Sequence, residues 1–362
     1  MAQTKIPNEL LELGVNQIEA NSILISNDGG TGTIDNAIQN TGLGFEVFDD
    51  LTQGDYNTGV GYKSLTKLTT GSNNSSLGRA ALEVNTTGSH NTAIGFAALE
   101  ANTTASNNTA IGKGSMVANT TGTENVSVGV SSLDANTTGS YNTAVGLGSL
   151  GANTTASNNT AVGYTALLSN TTGTENVAVG AYALDANTEA HENTGIGHNS
   201  LTAATTGGQN TALGAASGKA ITTGTLNTAI GRAALQANTT ASNNTAVGGN
   251  ALKTNTTASN ITAVGYAALY ANTTGSANTA VGSNALAGNT TGTNNIALGT
   301  GALFANTTGV HNTGLGFHAL NDNTTGGYNT AVGNYALQTA VSYTHLRAHE
   351  TKANLVCRLL LE

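Results

Sequence analysis

Along residues 40–339 the same order of apolar, small and polar positions returns every 17 residues. The motif N-T-A-V-G starts at 40, 57, 74, 91 and 108 and continues to 329, eighteen times without an insertion. Counted from its Asn, the repeat reads N-T-A-V-G-x-x-A-L-x-x-N-T-T-G-x-x. A fixed period of this length marks a solenoid, with each repeat one coil stacked on the next. Position 4 is Val, Ile or Leu in every copy, Val145 among them. Position 9 is Leu in fifteen copies, Leu99 among them, with Phe48, Met116 and Gly218 as the exceptions. Because side chains alternate across a strand, positions 2 and 4 share a face, and positions 4 and 9 are the expected core columns. Position 3 is only ever Ala, Gly or Ser, which predicts an opposite face that meets another backbone closely.

Position 5 is Gly in every copy, as at Gly95 and Gly112, and marks a turn with positive φ or a close approach of chains. Position 1 is Asn in seventeen copies, Asn91 among them, with Ile261 the exception. Asn stacked on Asn in successive coils predicts an amide ladder along the axis. The N-T-T-G stretch at positions 12 to 15 has turn chemistry. Each coil is therefore expected to hold a short strand, a Gly turn, a second short A-L strand and a polar return loop. At ~4.8 Å of rise per coil, eighteen coils would form a rod on the order of 85 Å long. The predicted fold class is all-β: a β-solenoid (β-roll) of eighteen 17-residue repeats. Little apolar mass is available per coil, so the array is expected to sit within a homotrimeric fibre, with the small faces at positions 3 and 8 against sister chains.

Composition narrows the reading. Charged residues are 9% and aromatics 4% of the 362, there are 47 Gly, and there is one Pro. A globular domain carries about 25% charged residues, and disordered chains are rich in charge and Pro. The net charge is −9, with 11 Lys and Arg in all, which argues against nucleic acid as a partner because that affinity rests on neutralised phosphates. No run of about 18 apolar residues predicts membrane insertion. Residues 1–13 lack the basic start and apolar core of a secretory signal.

No set of acids, histidines and nucleophiles recurs in one register, so no catalytic residue, cofactor or metal is expected and the chain does not read as an enzyme. His90 and His311 share position 17 thirteen coils apart, and His191, His198 and His318 lie elsewhere; metal-ligand spacing is absent. Position 10 is acidic in five copies (Asp49, Glu83, Glu100, Asp134, Asp185) and otherwise varied, the behaviour of an exposed site. Position 6 is aromatic in six copies: Phe45, Tyr62, Phe96, Tyr164, Tyr266 and Phe317. These are candidate surface platforms for sugar stacking, or else caps of the core or of a trimer seam.

Three resemblances add to this. The block N-T-A-V-G-x-x-A, about half of each repeat, resembles the head repeats of trimeric autotransporter adhesins, which implies a β-roll in a homotrimer. The opening M-A-Q-T-K-I-P-N-E-L-L-E-L, followed by V-N-Q-I-E-A-N-S-I-L, resembles the N-terminal segments of phage tail-fibre proteins. Residues 341–351 (V-S-Y-T-H-L-R-A-H-E-T) and 354–362 (N-L-V-C-R-L-L-L-E) resemble a translated sequencing adapter on either side of a barcode-sized gap. Residues 341–362, with Cys357, His345 and His349, are therefore set apart as a non-native tail. The expected organisation is an attachment segment at 1–39, the array at 40–339 and this tail. Together these imply a structural, adhesive fibre shaft of a phage tail fibre, placed on a virion or an extracellular surface. Its expected partners are two further copies of the chain and a host cell-surface glycan or protein receptor. The alternatives are an ice- or surface-binding solenoid, whose face would lie at positions 13 and 14, and a bacterial cell-surface trimeric adhesin.

Overall fold

The structure is a computed structural model that describes residues 15–16, 23–25 and 37–338. It is all-β, a parallel β-solenoid, with no helix among the described residues. From β3 (Thr41–Leu43) to β20 (Thr330–Val332), strands of three residues recur every 17 residues and occupy positions 2 to 4 of the repeat. Each paired neighbour runs parallel and in exact repeat register, as Thr92↔Thr109, Ala93↔Ala110 and Ile94↔Ile111. The chain divides into two compact units, Met1–Asn244 and Thr245–Glu362, and the coil is built alike in each.

The sheet begins before the first repeat. Strand β2 (Ile23–Ile25) pairs in parallel with β3, and β1 (Val15–Asn16) pairs antiparallel with β2. Part of the segment 1–39 thus joins the array's sheet; the rest of it, and the tail 341–362, lie outside the described residues.

Two expectations about the coil are corrected. The second strand at A-L does not form. Positions 7 and 9 both take left-handed backbone, as at Ala97 (φ 56°) and Leu99 (φ 51°), and such residues turn the chain instead of extending it. Backbone pairing between coils continues through these turns: Leu99 N–H donates to Ser115 O at 3.1 Å, and Ala97 N–H to Arg79 O at 2.9 Å.

The strand also faces the other way from the prediction. Position 3 points inward and is buried, as at Ala93, Ala110 and Ala144, whereas position 4 points outward. Val145 is half-buried on the outer face, not a core residue. The interior is narrow, and Leu at position 9, which is fully buried as expected (Leu99, Leu133, Leu167), already fills it. A Cβ at Gly195 would lie 3.2 Å from the Leu184 side chain, and one at Gly59 would lie 3.3 Å from Phe48. Position 3 is small because it abuts position 9 inside the coil. For the same reason positions 3 and 8 do not form a surface for sister chains; Ala98, Ala166 and Ala183 at position 8 are fully buried.

Gly at position 5 meets both of its expected demands. Gly95 has φ 135°, and a Cβ there would sit 2.6 Å from the Gly112 carbonyl oxygen in the next coil. The Asn ladder at position 1 is present: Asn57 N–H and Nδ2 both donate to Asn40 Oδ1, at 2.8 and 3.1 Å, and Asn91 does the same to Asn74 at 3.0 and 3.1 Å. Nδ2 also donates to the position-15 carbonyl of its own coil, as Asn91 to Ala105 O at 2.9 Å. These buried amides therefore have partners, as burial requires.

A second Asn ladder stands at position 12, where turn chemistry was expected. Asn102 Nδ2 donates to Asn85 Oδ1 at 2.9 Å, and the chain of bonds continues to Asn187. Every amide donates toward the N-terminus, so a run leaves one unused acceptor at its far end. The Oδ1 atoms of Asn187 and Asn323 are buried without a partner. After Asn187 the column passes to Ala204 and Ile221, both fully buried. Ile221 accompanies Gly218, the coil that lacks a position-9 side chain; a Cβ at Gly218 would lie 3.1 Å from Ile221 Cδ1 and 2.9 Å from Leu201 Cδ2. One aliphatic thus replaces another from across the coil.

This exchange predicts coupling. Gly218→Leu alone overpacks by about 1–3 kcal/mol, and Ile221→Asn alone opens a void costing about 2–4 kcal/mol. The double variant, which restores the common repeat, should be more stable than the sum of the two by at least about 1 kcal/mol, measured by urea denaturation. Additive losses would show that the two sites do not share one space. Separately, Gly112→Ala should lower the urea midpoint by more than about 2 kcal/mol equivalent through its left-handed backbone, and an unchanged midpoint would contradict the close approach at position 5.

Candidate functional site

With positions 1, 3, 8, 9, 12 and 15 turned inward, the surface consists of lengthwise lanes of repeat positions. Two of these are occupied by contacts between coils. Position-13 hydroxyls donate to the next coil's Thr carbonyl, as Thr69 to Thr86 O at 3.0 Å and Thr120 to Thr137 O at 3.0 Å. Position-16 hydroxyls accept the preceding coil's backbone N–H, as Ser89 Oγ from Ser72 at 3.0 Å. His191 occupies that lane, and its Nδ1 accepts from Thr174 N–H at 2.9 Å in place of a Ser oxygen. Among the described residues no group of three or more His, Cys, Asp or Glu is placed to hold a metal.

The lane at position 4 is an apolar surface. Leu43, Leu77 and Leu213 are about half exposed, and Ile94, Ile111, Val162, Val281, Leu298 and Val332 are also exposed. The remaining aliphatics of the lane, including Val145, are half-buried, and the row is present in both units. Position 2 adds Val126 and Ile296 to the same face. Branched aliphatics at every coil on a flat strand face satisfy strand propensity locally but are not covered by this chain.

The aromatics of position 6 do not cap the interior; Phe45, Tyr62, Phe96, Tyr164, Tyr266 and Phe317 are all exposed. Three of them are joined in the first coils. The Phe45 and Tyr62 rings are stacked with centroids 5.7 Å apart, and the Arg79 guanidinium lies 5.7 Å from Tyr62 and 5.1 Å from Phe96. One face of Phe45 is turned to Tyr62, and one face of Phe96 to the Arg79 cation. Beside them Lys63 lies 3.4 Å from Glu83 and 3.6 Å from Glu46; the Glu83 hydrogen bond, with both acids nearby, holds its ammonium above the usual range. Tyr164 packs edge-on to Tyr182 at 5.3 Å, and Phe317 packs edge-on to His318 and Tyr335 at 4.2 and 5.2 Å. Tyr266 stands over Gly249, whose Cβ would lie 3.6 Å from its ring.

Of the sequence-selected repeat residues, Asn91, Gly95, Gly112 and Leu99 occupy the places expected of them, and Val145 does not. The second Asn column was legible in principle. Position 12 is Asn, Leu (Leu51, Leu68), Ala or Ile and never charged, which is how an inward position behaves.

No protein-family model matches the chain, and no curated protein does.

The acids at position 10 are not all free in solvent. Burial pushes the Asp134 and Asp185 carboxyls up from the ordinary value, against the pull of their backbone hydrogen bonds. A raised carboxyl disfavours the ionised fold. The penalty is absent below the unfolded value of about 3.9, grows as pH rises through it, and is complete above the raised folded value. Asp185→Asn and Asp134→Asn should therefore raise the thermal midpoint at pH 7 and leave it nearly unchanged near pH ~3. A loss of stability at pH 7 would show that the ionised acids support the coil.

Proposed function

We propose that the chain is the shaft of a structural, adhesive fibre, a homotrimer, and most specifically part of a phage tail fibre used in host attachment. The observation that carries this reading is the uncovered aliphatic lane at position 4. Its exposed aliphatics recur coil after coil, and contiguous apolar surface of this kind on a monomer marks an interaction site. A partner must present apolar groups at the same rise, coil for coil, and a second copy running in the same direction does so automatically. Parallel copies in register require a cyclic assembly, and the resemblance of the N-T-A-V-G-x-x-A block to trimeric adhesin head repeats favours three copies.

In this reading residues 1–39 belong to the attachment end, the array sets length, and a host cell-surface glycan or protein is the receptor. A virion or an extracellular surface is the corresponding location, and the shaft has no catalytic task. A bacterial cell-surface trimeric adhesin would use the same shaft with another anchor. The ice- or surface-binding reading loses support at position 13, because the hydroxyl protons there are donated to neighbouring carbonyls.

Sedimentation of the chain is expected to give an elongated trimer. Replacing Ile94, Ile111, Val128 and Val145 together by Lys should yield a monomer with the same circular dichroism, since all four point outward. A parent chain that is itself a folded monomer sinks the shaft reading, and thermal hysteresis in that monomer would establish the surface-binding one.

A further inference from the structure

Position 7 is small in many coils, with Gly also at Gly114 and Gly301, and position 10 ranges from Ala287 to Phe304; only in coil 142–158 are both Gly, at Gly148 and Gly151. Two adjacent side chains are missing, and a notch of about 490 Å³ opens. Asp134 and Ser131 of the coil before border it, and Leu168 of the coil after overhangs it. A Cβ at Gly151 would lie 3.0 Å from Leu168 Cδ1 and 3.5 Å from Asp134 Oδ1. The floor and wall are mainly apolar, the polar groups are one carboxylate and one hydroxyl, and no Lys or Arg lines the notch.

Two further features single out this place. Thr165, in the coil above Gly148, is a β-branched residue at φ 48°, a backbone conformation such residues seldom take. Its Cγ2 lies 3.6 Å from where a Gly148 Cβ would be, and its Oγ1 is buried without a partner. In the adjoining position-6 lane, Leu147 and Tyr164 are exposed.

We propose that the Gly148–Gly151 notch binds one neutral pyranose unit of a glycan. A pyranose has an apolar C–H face and a rim of hydroxyl donors. Leu168 and the Gly floor fit the first, and the Asp134 carboxylate and Ser131 hydroxyl accept from the second. The absence of a cation at the rim disfavours acidic sugars and phosphates. Desolvation of Asp134 acts in the same direction, because a partly dried carboxylate gains more from each hydroxyl it accepts. This inference rests on the fibre reading for its biological sense, but not for its chemistry.

Saturation-transfer NMR on the full chain, with methyl glycosides of glucose, galactose, mannose and N-acetylglucosamine as probes, tests it. At least one should receive saturation with millimolar affinity. Gly151→Phe fills the notch with a residue that position 10 already accepts at Phe304, and it should abolish the signal. Asp134→Asn, which keeps the shape, should weaken binding about tenfold through loss of a charged acceptor. No transfer to any of the four sugars, or transfer unchanged in Gly151→Phe, overturns the proposal. So does a response to putrescine but to no sugar, which would mark a cation site instead. Sedimentation of the same samples separates the two readings. A trimer that binds no sugar removes the notch and keeps the shaft, whereas a sugar-binding monomer does the reverse.

Discussion

Everything in this solenoid depends on the stacking of like upon like between coils. An isolated coil would leave its amides, hydroxyls and strand groups unpaired, and the pairing groups are supplied by the identical positions one repeat away. Asn57 needs Asn40, Asn102 needs Asn85, and Thr69 needs the Thr86 carbonyl. Buried polar groups without partners are costly, so the period cannot drift by a single residue. Eighteen repeats without an insertion are what this constraint looks like in a sequence.

The second constraint is the narrowness of the coil. Leu at position 9 takes the interior, and small residues at positions 3, 8 and 15 close around it. A Cβ at Gly122 would meet the Gly139 carbonyl at 2.2 Å and Asn119 Oδ1 at 2.6 Å. Position 3, which abuts the position-9 side chain, has no room for a larger residue, and the branched aliphatics of the strand face outward at position 4. The apolar seam and the thin core have a common origin in coil size.

This explains which parts were legible from residues alone. The period, the Asn column at position 1, the turning Gly and the buried Leu each follow from one residue type with one dominant physical use. The facing of positions 3 and 4 was not legible by the same means. Hydrophobicity assigns Val to the inside, but available volume decides, and volume depends on how tightly the backbone closes. Left-handed Leu99 and Ala97 could not be anticipated either, because non-Gly residues rarely take that conformation. The notch at Gly148 and Gly151 was hidden for another reason. Two glycines at variable positions look like noise until the fold sets them side by side with Asp134 and Leu168.

The reversed strand β1 has a bearing on assembly. A stack of parallel rungs offers at its end a template on which the last rung of another molecule could continue the same pattern. At the outer edge of β2 that template is occupied by two residues running the other way. An antiparallel edge has alternating bond spacings, which do not match an arriving parallel coil, and a very short edge strand gives it little to hold. At this edge, continuation of the sheet by a further parallel coil is therefore obstructed by the chain's own reversed strand.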